Sequence, residues 1–535
     1  MDASGDGIGD LNGIHQRLDY LSSTLGVDAL WLSPFFPSPM KDFGYDVADY
    51  CDVDPRFGSL KDLTTLIDAI HAHGMKVIVD YVANHCSDQH PWFQASRQSA
   101  TNPKADWFVW KDPAPDGGPP NNWLSVFGGP AWTFDPSREQ YYLHKFLRSQ
   151  PDLNWRNPEV KDAMFDVLRF WLDRGVDGFR IDAAHFVMKD PDLRDNPPNP
   201  SPDDALLHRP MGDYDTQLHV HDKGHADVHG LFREMRTLLD DYEAETGRPV
   251  VSIGEIHLFD KREWASYYGQ DLDELHMPFN FGLLKQPWTA EDIRASVDSL
   301  EAALPTGAWP NYVLANHDDP RLATRVGPKQ ARVGAMLLLT LRGTPTLYYG
   351  EELGLPNADI PDEDQQDPWG QQVPGLGRDG CRTPMPWTSA PDGGFSNAAP
   401  SDFWLPMHHG NGSTDAPISV ADQLDDDRSM LTLYRRLLDL RRTSKALHAG
   451  RYAPIDDVPD GVFAYRRTFE SDTGESNTGD DVKIIALNFR STPAEMPLPA
   501  DAEVLLSTTG TRHAESLDDR TLRLHADEGV VLHVL

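Results

Sequence analysis

Charged side chains recur in this sequence where short apolar runs end. Asp80 closes K-V-I-V-D and is followed by Asn84 and His85. Arg180 and Asp182 close G-F-R-I-D, Glu255 follows V-S-I-G, and His317 with Asp318 follows Y-V-L-A-N. Asp46 lies in the loop after the first such run. Three carboxylates (Asp182, Glu255, Asp318), two histidines and an arginine, with neither a phosphate-binding loop nor zinc-ligand spacing, point to glycoside chemistry. One carboxylate would attack an anomeric carbon, and a second, kept protonated, would donate to the leaving oxygen. Arg180 and Asp182 are two residues apart and in a strand face the same way. Alone, that pair also reads as an ordinary buried salt bridge, and among 84 Asp and Glu any single acid reads as solvated surface. What separates these acids from the rest is the apolar strand before each of them.

The elements that must position them alternate. Val160 to Asp173 carries Met164, Phe165, Val167, Leu168, Phe170, Trp171 and Leu172 at helical spacing, and Gly175 ends it before the strand Gly178 to Asp182. A helix over Ile14 to Leu25, a strand over Val27 to Leu32, a helix over Leu60 to His73 and a strand over Lys76 to Tyr81 repeat the pattern. It resumes at Val250 to Glu255, Leu275 to Asn280, Tyr312 to Asn316 and Thr346 to Tyr349. Strand, helix, strand at this spacing predicts a parallel sheet with right-handed crossovers. Seven such strands predict a TIM (β/α)8-type barrel lacking its first strand, with chemistry at the strand C-terminal ends.

Two irregular stretches interrupt it. Cys86 to Arg156, rich in Pro, Gly, Asn and Trp, reads as a packed insertion domain, and Pro356 to Pro406 as a wall to a pocket. After a helix over Met430 to Lys445, the β-rich runs Val462 to Thr468, Val482 to Leu487, Val504 to Ser507 and Gly529 to Leu535 predict a C-terminal antiparallel β-sandwich. The expected organisation is 1–85 with 157–449 as the catalytic barrel, 86–156 as the insertion and 450–535 as the sandwich.

Composition bounds the partners. In 535 residues, 48 Lys and Arg against 84 Asp and Glu leave a net charge of −36, which disfavours nucleic acid and anionic membrane and suits a small neutral substrate. No run approaches the roughly 18 apolar residues of a membrane helix. The acidity, with Arg outnumbering Lys, hints at a salt-rich cytoplasm; a stability profile flat from zero to molar salt would count against that. Three scattered cysteines build neither a disulfide framework nor a zinc site, so a reducing, cytoplasmic compartment is the default. The opening D-A-S-G-D-G-I-G-D sets oxygen donors at Asp2, Ser4, Asp6, the Ile8 carbonyl and Asp10, the first part of a calcium-loop pattern without the closing Glu of an EF-hand. The same run also reads as an acidic surface turn. His219, His221, His225 and His229 fit no zinc spacing and read as a loop entering a helix.

Seven motifs in order then resemble an α-glucosidase of glycoside hydrolase family 13, the α-amylase family, in its small-oligosaccharide branch. They are D-Y-V-A-N-H (Asp80 to His85), Q-P-D-L-N (Gln150 to Asn154), G-F-R-I-D-A-A-H (Gly178 to His185), G-E-I-H (Gly254 to His257), A-N-H-D-D-P-R (Ala315 to Arg321), G-T-P-T-L-Y-Y-G-E-E-L-G (Gly343 to Gly354) and R-T-P-M-P-W (Arg382 to Trp387). The resemblance implies Asp182 as nucleophile, Glu255 as general acid and then base, and Asp318 as the group steadying an oxocarbenium-like sugar. Arg180 would keep Asp182 ionised. His85 and His317 would hold ring hydroxyls, Tyr45 would stack beneath the ring, and Asp46 with Arg382 would grip the non-reducing 4-hydroxyl and close the pocket. Phe127, Phe146 and Gln150 would line the entrance. The closed end implies exo action on maltose-type oligosaccharides, sucrose or isomaltose. No organic cofactor is implied, and one structural Ca2+ would sit in the opening loop.

The chain departs from that family in starting at the D-A-S-G-D-G loop, without the strand that usually precedes it. Met1 is then an internal methionine of a longer protein or the first residue of a fragment, and a signal peptide would have gone with the strand. Ala183, after the nucleophile, stands where Val accompanies α-1,6 action, which leans towards α-1,4 or mixed substrates. The same residues could run glucosyl transfer, or trehalose synthesis from maltose. A non-catalytic transporter heavy chain of similar sequence would carry a membrane helix and lack the full carboxylate set.

Overall fold

The computed structural model describes residues 1–201, 211–373, 375–407, 418–470 and 481–535. Five parallel strands pair in chain order: Ala29–Leu32, Lys76–Val82, Gly178–Asp182, Val251–Gly254 and Met277–Pro278. Asn311–Val313 pairs in parallel with Thr344–Thr346. Helices lie between successive strands, and the whole is a TIM barrel. Among the described residues its pairing is interrupted twice: nothing pairs Thr344–Thr346 with Ala29–Leu32, or Met277–Pro278 with Asn311–Val313. The burial follows suit, since Gly178–Asp182 is buried along its length while the two edge strands are half-exposed over most of theirs.

Local chemistry explains the barrel elements. Helix Pro158–Leu172 starts with Asn157 accepting the Glu159 N–H and Pro at its first position, and buries Val160, Met164, Phe165, Val167, Leu168, Trp171 and Leu172. Helix Leu60–Ala72 opens on a reciprocal capping box between Ser59 and Asp62. Gly178 must be glycine: a Cβ there would lie 2.4 Å from the Val251 carbonyl oxygen of the neighbouring strand.

The C-terminal residues form a six-stranded antiparallel sheet and a two-stranded one, Ala494–Pro497 with Thr521–Leu524. Alternation along the strands divides their side chains. Val462, Ala464, Ile484, Ala486, Val530 and Leu532 fill the space between the two sheets. Phe463, Tyr465, Ile485, Leu487 and Val531 face the other way and join the barrel's core. A three-stranded antiparallel sheet (Trp110–Lys111, Gln140–Leu143, Trp132–Asp135) lies within the Trp-rich insertion.

Three local expectations shift. Instead of one helix over Ile14 to Leu25, Leu11–His15 is capped by Asp10 and a separate π-helical turn, Tyr20–Leu25, ends at Gly26. The last barrel strand is Thr344–Thr346 rather than Thr346 to Tyr349, and Met277–Pro278 is only two residues long.

Candidate active site

Arg180 and Asp182 leave their strand on the same side, and the arginine is the hub of the site. It is 2 % exposed. Nη1 donates to Asp182 (2.7 Å) and Asp80 (2.8 Å), and Nη2 reaches Glu255 at 2.9 Å. Its guanidinium lies 4.9 Å from the centre of the Trp31 ring, and Trp31 Nε1 donates to Asp80. One cation thus serves three buried carboxyls. Burial pushes Asp80 up to about 6 despite Arg180. Burial, opposed by Arg180 and reinforced by Glu255 and Asp80, pushes Asp182 well above the ordinary carboxylate range. At Glu255 burial is outweighed by Arg180 and by the His257 imidazole, which bonds Oε1 at 2.9 Å, so it is held low. The two neighbouring carboxyls are therefore pushed in opposite directions, Asp182 up and Glu255 down.

Ala183 takes a left-handed backbone conformation, φ 44°. That turn points its N–H at Glu255 Oε2 (2.8 Å), tying the residue after Asp182 to the second carboxyl. Asp318, from the next loops round the barrel, accepts from Arg378 and Arg382 at 3.0 Å each. Burial would raise its pKa; His317, Arg378 and Arg382 overcome that and hold it well below the ordinary value. Asp318 and Arg378 line a cavity of about 480 Å3 that runs out past Gln286, Trp288 and Asn357.

The remaining expected residues gather around these acids, with one exception. The Tyr45 and His317 rings are parallel, 5.6 Å apart, and Tyr45 OH bonds His317 Nε2 at 3.0 Å. His85 lies against Gln150 (3.2 Å) and the Phe146 ring, and Phe127 packs on Phe146 and Trp369. Burial lowers His85 and His317 to about 4, so both are neutral at pH 7. Arg382 donates to the His317 carbonyl as well as to Asp318.

Asp46 does not reach the site. Its carboxylate accepts from Ser38 Oγ (2.9 Å), Lys41 N (3.0 Å) and Asp42 N (3.1 Å) and is fully buried in its own loop. Asp42 stands where Asp46 was expected, donated to by Arg378 Nη2 (2.8 Å) and Gln150 Nε2 (3.0 Å). Phe43 and Gly44, between the two acids, take left-handed backbone, and the two carboxylates have separate partners. The arginine facing Asp42 is likewise Arg378, not Arg382. Sequence reading also passed over Trp31 and Trp369. The signal available was the repeated type, two aspartates around G-Y and two arginines in R-D-G-C-R, which alone does not say which member faces inward.

The opening loop's carboxylates are turned onto its own backbone. Asp2 accepts from Ser4 Oγ and from the Gly5 and Gly7 N–H groups, Asp10 from those of Ala3, Ser4 and Gly13, and Asp6 from that of Ile8. Among the described residues no group of three or more His, Cys, Asp or Glu could hold a metal ion, and the calcium expectation at Asp2, Ser4, Asp6, Ile8 and Asp10 is not confirmed. The histidines at 219 to 229 are taken up separately, His219 by Asp222 and the Tyr214 carbonyl, His229 by Glu274.

A buried carboxyl pair on one guanidinium, with a third carboxylate between two arginines at the C-terminal face of a barrel, defines a glycoside hydrolase. The described helices include none long and apolar enough to cross a membrane. Residues 1–450 match the model of the α-amylase catalytic domain, and the chain belongs to the α-amylase family, glycoside hydrolase family 13. It is 45 % identical over 461 residues to a probable alpha-glucosidase of Rhizobium meliloti, covering 84 % of this chain and 81 % of that one. It is 33 % identical over 565 residues to an oligo-1,6-glucosidase of Parageobacillus thermoglucosidasius, covering 98 % and 94 %. The crystal structure of an alpha-glucosyl transfer enzyme superposes with a TM-score of 0.90 at 44 % identity, covering all of this chain and 97 % of that one.

Proposed function

We propose that the chain is a retaining, exo-acting α-glucosidase for short α-glucosides. Asp182 attacks the anomeric carbon, the bond from that carbon to the leaving oxygen breaks, and the leaving oxygen takes the proton from Glu255. Water then attacks the glucosyl–Asp182 ester, gives its proton to Glu255, and frees the Asp182 carboxylate. This chemistry needs Asp182 ionised and the proton on Glu255, the reverse of the order in the empty site, so the incoming sugar must part Arg180 from Glu255. Asp318, held ionised, steadies the ring's positive charge through its hydroxyls. His85 and His317, both neutral, bond hydroxyls, and Tyr45 stacks on the ring. Asp42 and Arg378 close the far end, which makes the action exo. We read 1–85 with 157–449 as the catalytic barrel, 86–156 as the insertion that lines its entrance, and 450–535 as a separate C-terminal sandwich.

The observation that carries this reading is the single guanidinium bonded to both Asp182 and Glu255. Asp182→Ala should abolish turnover in a folded protein, and a slow fluorinated glucosyl substrate should leave a glucosyl mass on the peptide containing Asp182. An active Asp182→Ala variant overturns the assignment. Transfer to a sugar acceptor is the second reading, favoured by the 44 % identity to an alpha-glucosyl transfer enzyme. Product identification after incubation with maltose, isomaltose and sucrose separates release of free glucose from new disaccharides.

A further inference from the structure

Arg378 meets three carboxylates. Its Nη2 donates to Asp42 (2.8 Å) and its Nη1 to Asp318 (3.0 Å). The third is Asp367, fully buried and 11 residues earlier in the chain. Asp367 Oδ2 accepts from Arg378 Nε (2.9 Å) and from the Arg378 backbone N–H (2.7 Å), and Oδ1 accepts from Nη2 (2.8 Å). This is the two-bond match between one edge of a guanidinium and a carboxylate. Burial would raise the pKa of Asp367; the bonds and charge of Arg378 overcome that and hold it below the ordinary value, so it is ionised at pH 7.

Asp367 is itself fixed in place. Its Oδ1 also accepts the Trp369 N–H (3.2 Å), capping helix Pro368–Gln372. Asp379 returns the bond, its carboxylate accepting the Gln366 (2.8 Å) and Asp367 (2.9 Å) N–H groups. The two stretches therefore hold each other in both directions. The Arg378 guanidinium lies 5.4 Å from the Phe127 ring centre and 5.6 Å from that of Trp369, and those two rings pack edge to face. A free arginine side chain carries about 2 kcal/mol of rotamer entropy. Held by Asp42 and Asp318 alone, Arg378 would be free to swing towards either. With its Nε edge taken by Asp367, it reaches both at once.

We propose that Asp367 is a positioning residue: without touching substrate, it holds the Nε edge of Arg378 and so aims Nη1 and Nη2 at Asp318 and Asp42, setting the closed end of the pocket for the 4-hydroxyl of a non-reducing glucose. The inference rests on the glucosidase reading above and adds the group that sets its closed end. An arginine aimed before the sugar arrives spends no binding energy on being ordered.

The test is kcat/KM for α-glucosyl fluoride and its 4-deoxy analogue in the full-length enzyme, in Asp367→Asn, in Arg378→Lys and in the double variant. Asp367→Asn should lose about 10- to 100-fold on the glucosyl fluoride and less than about threefold on the 4-deoxy analogue, where the contact it sets is already missing. In the Arg378→Lys background, whose ammonium cannot make the two-bond match, Asp367→Asn should add little further loss. Equal losses on the two fluorides, or losses that multiply in the double variant, overturn the proposal, since a purely structural carboxylate moves all substrates alike. If Asp367→Asn does not fold, Asp367→Glu, which keeps the charge and displaces the carboxylate by a methylene, carries the same comparison. An unmutated enzyme that cleaves no glucosyl fluoride overturns the glucosidase reading instead.

Discussion

Asp42 and Asp46, four residues apart, should fail in opposite ways when each is changed to Asn. The Asp46 carboxylate accepts the Lys41 N–H on one oxygen and the Asp42 N–H and Ser38 hydroxyl on the other. An amide keeps one acceptor and turns a donor towards at least one buried N–H. Leaving that group unmet costs about 1–3 kcal/mol of stability. The folded fraction should keep its kcat/KM within a few-fold. Asp42→Asn should leave stability nearly unchanged, because Arg378 keeps Asp367 and Asp318 as partners. It loses a charged hydrogen bond to the substrate, of about 1.5–3 kcal/mol, which is roughly 10- to 100-fold in kcat/KM. Denaturant melts and maltose kinetics on both variants decide it. Loss of catalysis at full stability in Asp46→Asn, with an active Asp42→Asn, would show that the closed end of the pocket has been assigned to the wrong acid.

Burial pushes Glu351 up to about 7, so between pH 4.5 and 7 the folded protein keeps a proton that the unfolded chain has released. Stability from this group therefore falls as pH rises, by about 3 kcal/mol across the window. Melts of Glu351→Gln against pH should lack that slope, and parallel curves for the two proteins would refute it. Lys145→Met leaves the fully buried Asp222 with His219 as its one ion-pair partner among the described residues and should cost about 3–5 kcal/mol, read as a lower unfolding midpoint. EDTA tests the calcium spacing of the opening loop: a bound Ca2+ there should show as a fall in melting temperature that added Ca2+ restores, and an unchanged melt in EDTA would refute a structural ion at these carboxylates.

What could be read without coordinates was whatever two periodicities and a chain end encode. Apolar strands such as Val77 to Val82 announce themselves because both faces are buried. The acids that end them converge because a barrel brings its strand ends to one face. The C-terminal strands were legible for the same reason: their alternation sorts one set of residues between the sheets and another onto the barrel. Harder positions turn on a single dihedral or a distant partner. Nothing local says that Phe43 and Gly44 adopt left-handed backbone, yet that turn decides which aspartate enters the pocket. Nor does sequence show that Arg378 belongs with Asp42, 336 residues away. The opening loop is a different case: its oxygens have calcium spacing, the same carboxylates accept N–H groups from the loop's glycines, and spacing alone does not rank a cation against those donors. Motif order thus says which strand ends meet at one face, while the direction each side chain takes from its strand is a property of the loop.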